Sequence, residues 1–135
     1  MRLVADANVL LAAVLGGRAA RALRHPRVEQ VLAAAAVLEE VHEYAGALAR
    51  KKRLQVDTVL TAVVSLPVIV VERSAYAARL KDAERRIGKR DPDDVDTLAL
   101  AIHLGFPVWS NDDDFKGTGV TRYTTAELLA TLERQ

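Results

Sequence analysis

Carboxylate side chains occur at four widely separated positions of this sequence, beside apolar segments or near the start of helical ones. These positions are Asp6, Glu40, Asp94 and Asp112. Two carboxylates about 4 Å apart repel each other by roughly 4 kcal/mol at an effective dielectric constant of about 20. Without a counter-ion, one of them would raise its pKa and take up a proton. If the fold brings these acids together, a bound cation is the expected way to relieve the repulsion.

The lack of cysteine and the spacing of the histidines indicate which cation the acids would bind. The sequence has no cysteine, which excludes disulfides, a thiol nucleophile and thiolate-held zinc. Its histidines, His25, His42 and His103, lack the spacing of a metal site and are typical of structural or solvated residues. Oxygen ligands alone favour magnesium or manganese. Two such ions about 4 Å apart can activate a water molecule and stabilise the leaving oxygen during phosphodiester cleavage.

The apolar pattern predicts strands that alternate with helices. Predicted strands cover residues 2–5, 28–34, 68–71, 107–110 and 119–123, and predicted helices cover 8–15, 18–25, 37–53, 56–64, 75–87, 91–104 and a closing segment capped by Thr124. The alanine run at 33–36 fits either a strand or a helix. Alternation of this kind indicates a three-layer α/β fold, with helices on both faces of a central parallel sheet of four to five strands.

The predicted elements place the four acids on one edge of this sheet, because ligands of such sheets bind beyond the carboxyl ends of the strands. Asp6 ends the first predicted strand, and Asp112 follows the strand at 107–110. Asp94 lies in the first turn of the helix that leads to that strand. Glu40, near the start of the helix after the second strand, is placed to join them.

Four acidic segments, in order along the chain, resemble the successive acidic motifs of PIN domains. The segments are Asp6-Ala7-Asn8, Leu38-Glu39-Glu40-Val41, Asp91-Pro92-Asp93-Asp94-Val95 and Trp109-Ser110-Asn111-Asp112-Asp113-Asp114-Phe115. The resemblance covers nearly the whole chain, and the 18 residues from Asp94 to Asp112 are similar to the corresponding spacing in VapC-type toxins. It implies a single Rossmann-like PIN domain over residues 1–135 that acts as a magnesium- or manganese-dependent endoribonuclease.

The resemblance also assigns roles to individual residues. The implied metal ligands, for one or two ions, are Asp6, Asp94, Asp112 and Asp114. The implied catalytic residues are Asp6, Glu40, Asp94 and Asp112. Glu40 takes the second acidic position, although Glu39 and Glu43 lie close enough that either could replace it. Asn8 matches a polar residue that supports the first aspartate through hydrogen bonds.

These assignments predict a mechanism for hydrolysis of RNA. Asp6, Asp94 and Asp112 would bind metal directly or through water. Glu40 would contact a second ion or position the attacking water. Because the metal lowers the pKa of that water, no histidine base is needed. In-line attack on phosphorus would leave a 5′-phosphate and a 3′-hydroxyl, as the resemblance implies.

Each acid also has a purely structural interpretation. Asp6 and Asp94 could be helix N-caps, with Asp91 or Asp93 competing for the second cap. Asp112 lies in an Asp-rich turn, where aspartate often forms local hydrogen bonds. The acids are far apart in the sequence but fall on the same predicted edge of the sheet, which favours the functional interpretation.

An uneven distribution of charge favours a polyanionic partner. Residues 1–90 contain 16 Lys or Arg against 9 Asp or Glu, whereas residues 91–135 contain 3 against 9. The cations that could contact RNA phosphates are Arg18, Arg21, Arg85, Arg86, Lys89 and Arg90. The alternative is that they form ordinary solvated helix faces.

The remaining expectations concern location, partners and competing functions. No run approaches the roughly 18 apolar residues of a membrane helix and no export signal is recognised, so a cytoplasmic protein without membrane contact is expected. RNA, an antitoxin protein and a second copy of the chain, in a dimer or higher oligomer, are the expected partners. Two other functions stay open: a PIN fold retained only for RNA or protein binding, and a haloacid-dehalogenase-type phosphatase. The phosphatase class has a second aspartate where this chain has Asn8.

Overall fold

Five short strands form one parallel sheet in the computed structural model, which describes residues 1–134. The strands are β1 (Arg2–Ala5), β2 (Gln30–Ala34), β3 (Ile69–Val71), β4 (Val108–Trp109) and β5 (Arg122–Tyr123). Their order across the sheet is β3-β2-β1-β4-β5, and each neighbouring pair is parallel. Since β1 is central, Leu3, Val4 and Ala5 are fully buried.

The helices that connect these strands cover both faces of the sheet. They are α1 (Ala7–Leu15), α2 (Gly17–Leu23), α3 (Ala35–Lys51), α4 (Val56–Val64), α5 (Arg73–Tyr76), α6 (Leu80–Ile87), α7 (Val95–Leu104) and α8 (Thr125–Glu133). Because crossovers between parallel strands are right-handed, α1–α4 lie on one face and α5–α7 on the other. Helix α8 packs on α2 and joins the first face. The three-layer α/β/α fold predicted from the sequence is therefore confirmed. Within residues 1–134, no helix has the length and apolar character needed to cross a membrane.

Most predicted elements differ from the structure by a few residues at their ends, and three differences change the local structure. Strand β2 passes directly into α3 at Ala35, so the ambiguous alanine run is divided between the two elements. The continuous helix predicted over residues 75–87 is wrong, because a 3-10 turn at Ala77–Arg79 separates α5 from α6. This break points Tyr76 into the core, where its hydroxyl donates to Asp96 at 2.5 Å. The β-branched run at 68–71 forms only a short edge strand.

Two of the helices end at glycine, and the last helix begins with a capping box. Gly16 and Gly105 stop α1 and α7 with φ angles of 99° and 70°, a region that glycine enters without steric cost. At the start of α8, the Thr124 side chain accepts from the Glu127 N–H at 3.1 Å. The Glu127 carboxylate accepts in return from the Thr124 N–H at 3.0 Å. The cap predicted at Thr124 is thus confirmed, and Glu127 completes a capping box.

Candidate metal centre

Asp6 is held rigidly where β1 passes into α1. One carboxylate oxygen accepts from the Val9 N–H at 3.0 Å, so the residue caps α1. The other oxygen accepts from the Ser110 hydroxyl. Asp6 is 3% exposed, and this burial raises its pKa, although the bonds from Ser110 and Val9 oppose the rise. The capping role and a place in the site are therefore compatible.

Ser110 connects the acids of β1 and β4. The pairing of Ala5 with Trp109 across these strands brings the next residues, Asp6 and Ser110, together. The buried Ser110 hydroxyl donates to Asp6 and accepts from the Asp112 N–H at 2.9 Å. Sequence reasoning gave Ser110 no role. Its only signal is a small polar residue directly after a buried strand.

Asp94 is a buried acid whose carboxylate is incompletely bonded. The preceding 3-10 turn, Pro92–Asp94, is capped by Asp91, which accepts from the Asp93 N–H at 2.9 Å, so Asp94 is not needed as a cap. Asp94 is 8% exposed, and its Oδ2 forms no hydrogen bond with any described residue. Burial, followed by the nearby charge of Asp91 and of other acids, raises the pKa of Asp94 to about 8.

These acids line a common pocket of about 220 Å³ at the carboxyl edge of the sheet. Its walls are formed by Asp6, Ala7, Asn8, Glu40, Tyr44, Asp91, Asp93, Asp94 and Asp112. Of the three glutamates considered from the sequence, Glu40 lines the pocket, whereas Glu39 and Glu43 are exposed. Partial burial and the charges of Asp93, Asp91 and Asp6 raise the pKa of Glu40.

The tightest group of acids in the described chain differs from the set predicted as ligands. Carboxylate oxygens of Asp91, Asp94, Asp112 and Asp114 all lie within 4.8 Å of one another. Asp6 and Glu40 line the pocket but are outside this group, and Asp91 was considered from the sequence only as a cap. Oxygen donors of this kind suit a hard divalent cation, and the unbonded Asp94 Oδ2 offers it a free ligand atom.

Asn8 occupies a different position from the supporting one predicted for it. Its side chain is exposed at the wall of the pocket. Within residues 1–134, the side chain that bonds Asp6 is that of Ser110, and Asn8 contributes only through its backbone N–H. Ser110 takes this position because the pairing of β1 with β4 places it beside Asp6.

The cations predicted to contact RNA are not all free on the surface. Arg86 donates to the Thr118 carbonyl at 2.8 Å, and Arg90 donates to the Lys116 carbonyl at 2.7 Å. These two guanidinium groups therefore hold the loop that follows Asp114. The other four do not bond to this loop: Arg85 pairs with Asp82, Arg21 pairs with Glu133, and Arg18 and Lys89 lie at the surface. Contact with RNA stays a prediction for all six.

Arg122 and Asn111 support the segment after β4, and neither was identified from the sequence. The Arg122 side chain is 11% exposed. It donates to the carbonyls of Ser110 and Asp112 at 3.4 and 3.3 Å, and to the Asp113 carboxylate at 3.3 Å. The Asn111 side chain accepts from the backbone N–H of α8's first residue at 2.8 Å. Hydrogen bonds from β5 and from α8 thus hold the turn that carries Asp112 in place.

Three solved structures are similar to this chain in fold. VapBC2 from Rickettsia felis, bound to a DNA fragment from its promoter, is 13% identical, with 92% of this chain and 98% of that chain covered and a TM-score of 0.71. A toxin–antitoxin complex from Klebsiella pneumoniae is 19% identical, with 91% and 97% covered and a TM-score of 0.66. VapC20 from Mycobacterium tuberculosis, described as a toxin that cleaves the Sarcin-Ricin loop, is 20% identical, with 88% and 96% covered and a TM-score of 0.61.

The sequence itself matches one family. No curated protein matches the chain. The sequence model of a family described as PIN domain matches residues 4–133. This range includes every acid of the pocket, from Asp6 to Asp112. Because the match spans nearly all of the sequence, the chain belongs to the PIN domain family.

Proposed function

We propose that this chain is a divalent-metal-dependent ribonuclease that hydrolyses phosphodiester bonds of RNA. One observation carries the proposal. The buried, unbonded Oδ2 of Asp94 lies in a group of carboxylates at the carboxyl edge of a PIN-domain sheet. Four acids so close would repel one another strongly in isolation. Membership of the PIN domain family makes a metal-binding nuclease the function that accounts for this arrangement.

The proposed ligands are acids that line the pocket, together with Asp114 beside them. Asp94, Asp112 and Asp114 would hold Mg²⁺ or Mn²⁺, with Asp6 bonded to the metal directly or through water. When bound, such an ion lowers the pKa of a water molecule and offsets negative charge on the phosphate. Glu40, on the wall of the same pocket, would orient the attacking water. Its raised pKa makes it a better proton acceptor than an ordinary surface glutamate.

The biological setting that we propose is a toxin–antitoxin pair. Two of the similar structures are described as VapBC2 bound to a DNA fragment and as a toxin–antitoxin complex, and the third as a toxin that cleaves the Sarcin-Ricin loop. A chain of the same fold that covers nearly all of their length would act as the toxin and bind an antitoxin protein. A homo-oligomer and a cytoplasmic location stay predictions.

RNA cleavage by matched variants tests the proposal. We expect wild-type protein to cleave single-stranded RNA with Mn²⁺ or Mg²⁺ but not with EDTA, and to leave 5′-phosphate ends. Asp94→Asn removes a ligand charge and should reduce the rate on the order of 100-fold or more. Asp57→Asn makes the same change at an exposed position of α4, outside the pocket, and should cleave like the wild type.

Other outcomes would contradict the proposal in distinguishable ways. Equal cleavage by all three proteins would exclude the carboxylate group as the active site. RNA binding without cleavage, together with poor Mn²⁺ binding, would indicate a PIN fold retained for binding alone. Release of phosphate from a simple phosphomonoester, with RNA left intact, would favour a phosphatase.

A further inference from the structure

We infer that Asp91 is a metal ligand of this chain, in a set completed by Asp94, Asp112 and Asp114. The inference rests on the proposed function, because it takes the bound group to be a divalent cation. It adds a residue that the PIN-type motif positions in this sequence did not assign to the metal. For Asp6, it selects contact with this cation through water over direct contact, and it leaves Glu40 outside the ligand set.

The distances within the set fit a single ion. Hard divalent cations are held by oxygen at about 2.0–2.6 Å, so two ligands on opposite sides of one ion lie about 4–5 Å apart. The four residues offer oxygens that lie within 4.8 Å of one another. Asp91 approaches from the 3-10 turn before α7, whereas Asp112 and Asp114 approach from the turn after β4.

The second observation is that the carboxylates form no ion pair with a described residue, although the charge of Arg90 acts on Asp114 from a distance. Asp94 is 8% exposed, and its Oδ2 has no hydrogen-bond partner among residues 1–134. In the same part of the chain, no member of the set forms an ion pair with Lys, Arg or His. Arg90 is adjacent to Asp91 in sequence, but its guanidinium donates to the carbonyls of Lys116 and Arg86. A cation from solution would supply the missing positive charge.

The local backbone already holds Asp91 in place for this role. One carboxylate oxygen accepts from the Asp93 N–H at 2.9 Å, which fixes the side chain and leaves the other oxygen for a ligand contact. The Asp91 N–H donates to the Ile87 carbonyl at 3.0 Å. The bond from Arg90 to Lys116 links this turn to the loop after Asp114. Little reorganisation would be needed when an ion enters.

Manganese binding by three neighbouring variants tests the inference without measuring cleavage. Isothermal titration with MnCl₂ would compare wild type, Asp91→Asn, Asp93→Asn and Asp94→Asn. Asparagine can still cap the turn, so Asp91→Asn should fold. We expect it to weaken Mn²⁺ binding about tenfold or more, and Asp94→Asn to do at least as much. Asp93→Asn removes the same charge from an exposed residue that lines the pocket but lies outside the set, and should weaken binding less than about threefold.

Thermal unfolding provides the second measurement. With EDTA, Asp91→Asn should be at least as stable as the wild type, because one repelling charge is gone. With Mn²⁺, it should gain less stability than wild type or Asp93→Asn. Equal loss of Mn²⁺ affinity in Asp91→Asn and Asp93→Asn, with Asp94→Asn still defective, would overturn the ligand role of Asp91 alone. A wild type that does not bind Mn²⁺ would overturn the proposed function as well.

Discussion

Asp94 determines how the metal-free site responds to pH. Burial and neighbouring acids raise its pKa to about 8, from an ordinary value near 3.8. The folded protein therefore keeps a proton on Asp94 at pH values where the unfolded chain has released it. The contribution of Asp94 to the free energy of unfolding is fully present below the ordinary pKa of 3.8, and it is lost as the pH rises toward 8. The metal, which requires the deprotonated form, must displace this proton.

The metal-free protein should therefore become less stable as the pH rises from 5 to 8. The expected slope is up to about 1.4 kcal/mol of unfolding free energy for each pH unit, since one proton separates the two states. Urea unfolding in EDTA measures it. Asp94→Asn cannot titrate and should show a clearly smaller slope, whereas Asp57→Asn should keep the wild-type one. Identical slopes in wild type and Asp94→Asn would show that Asp94 is not protonated in the fold.

At the same scale, the sequence predicts some site residues and not others for physical reasons. Asp6 and Asp112 are recognisable because each follows a buried strand whose carboxyl end must lie at the ligand-binding edge. Ser110 becomes visible only through the register of β1 with β4, which sequence patterns do not specify. Asp91 has a sufficient local explanation as a cap, so its proximity to Asp114 emerges only in three dimensions.

Helix α6 acts as a clamp on the loop that leaves the site. Asp82 holds the Arg86 guanidinium by two bonds of 3.1 and 2.8 Å. The third nitrogen of Arg86 donates to Thr118, whose hydroxyl in turn donates to the Phe115 carbonyl. The position of Asp114 thus depends on a helix more than twenty residues earlier in the chain.

Arg86→Ala should therefore affect stability and metal binding together. We expect a loss of about 1–3 kcal/mol of unfolding free energy, because a buried carbonyl loses its charged donor, and weaker Mn²⁺ binding. Arg85→Ala is the matched control: it pairs with the same Asp82, but its side chain is 78% exposed. Exposed pairs contribute about 0–1 kcal/mol. Urea unfolding and titration calorimetry would compare the two, and equal losses would rule out the clamp.

The sequence predicts the type of each helix or strand better than its first and last residues, and the structure gives the reasons. The run 75–87 has a helical pattern, but the contact of Tyr76 with Asp96 favours a break that only tertiary packing dictates. The β-branched run at 68–71 predicts a strand, yet its place at the edge follows from topology. Ile69 and Val70 are 45% and 49% exposed there. Sequence patterns report local preference, whereas strand order depends on how the crossovers pack.

At the scale of the whole molecule, basic residues lie both beside the acidic pocket and at the opposite edge of the sheet. The pocket at the carboxyl edge of the sheet is lined by acids, so an RNA strand must be attracted by cations around it. Lys89 follows the C-terminal end of helix α6, two residues before the pocket acid Asp91. The basic residues at the end of α3 lie at the opposite edge, because α3 starts at the carboxyl edge with Glu40 in its second turn.

Lys89 should therefore contribute to RNA binding, whereas Lys52, after the end of α3, should not. Both are exposed lysines without an ion pair to any residue from 1 to 134. In an Asp94→Asn background that prevents cleavage, Lys89→Gln should weaken single-stranded RNA binding and reduce the salt slope by about 0.7, the value of one phosphate contact. Fluorescence anisotropy at increasing KCl concentrations measures both quantities. If Lys52→Gln lowered the slope as much as Lys89→Gln, RNA would be attracted by net charge rather than by cations beside the pocket.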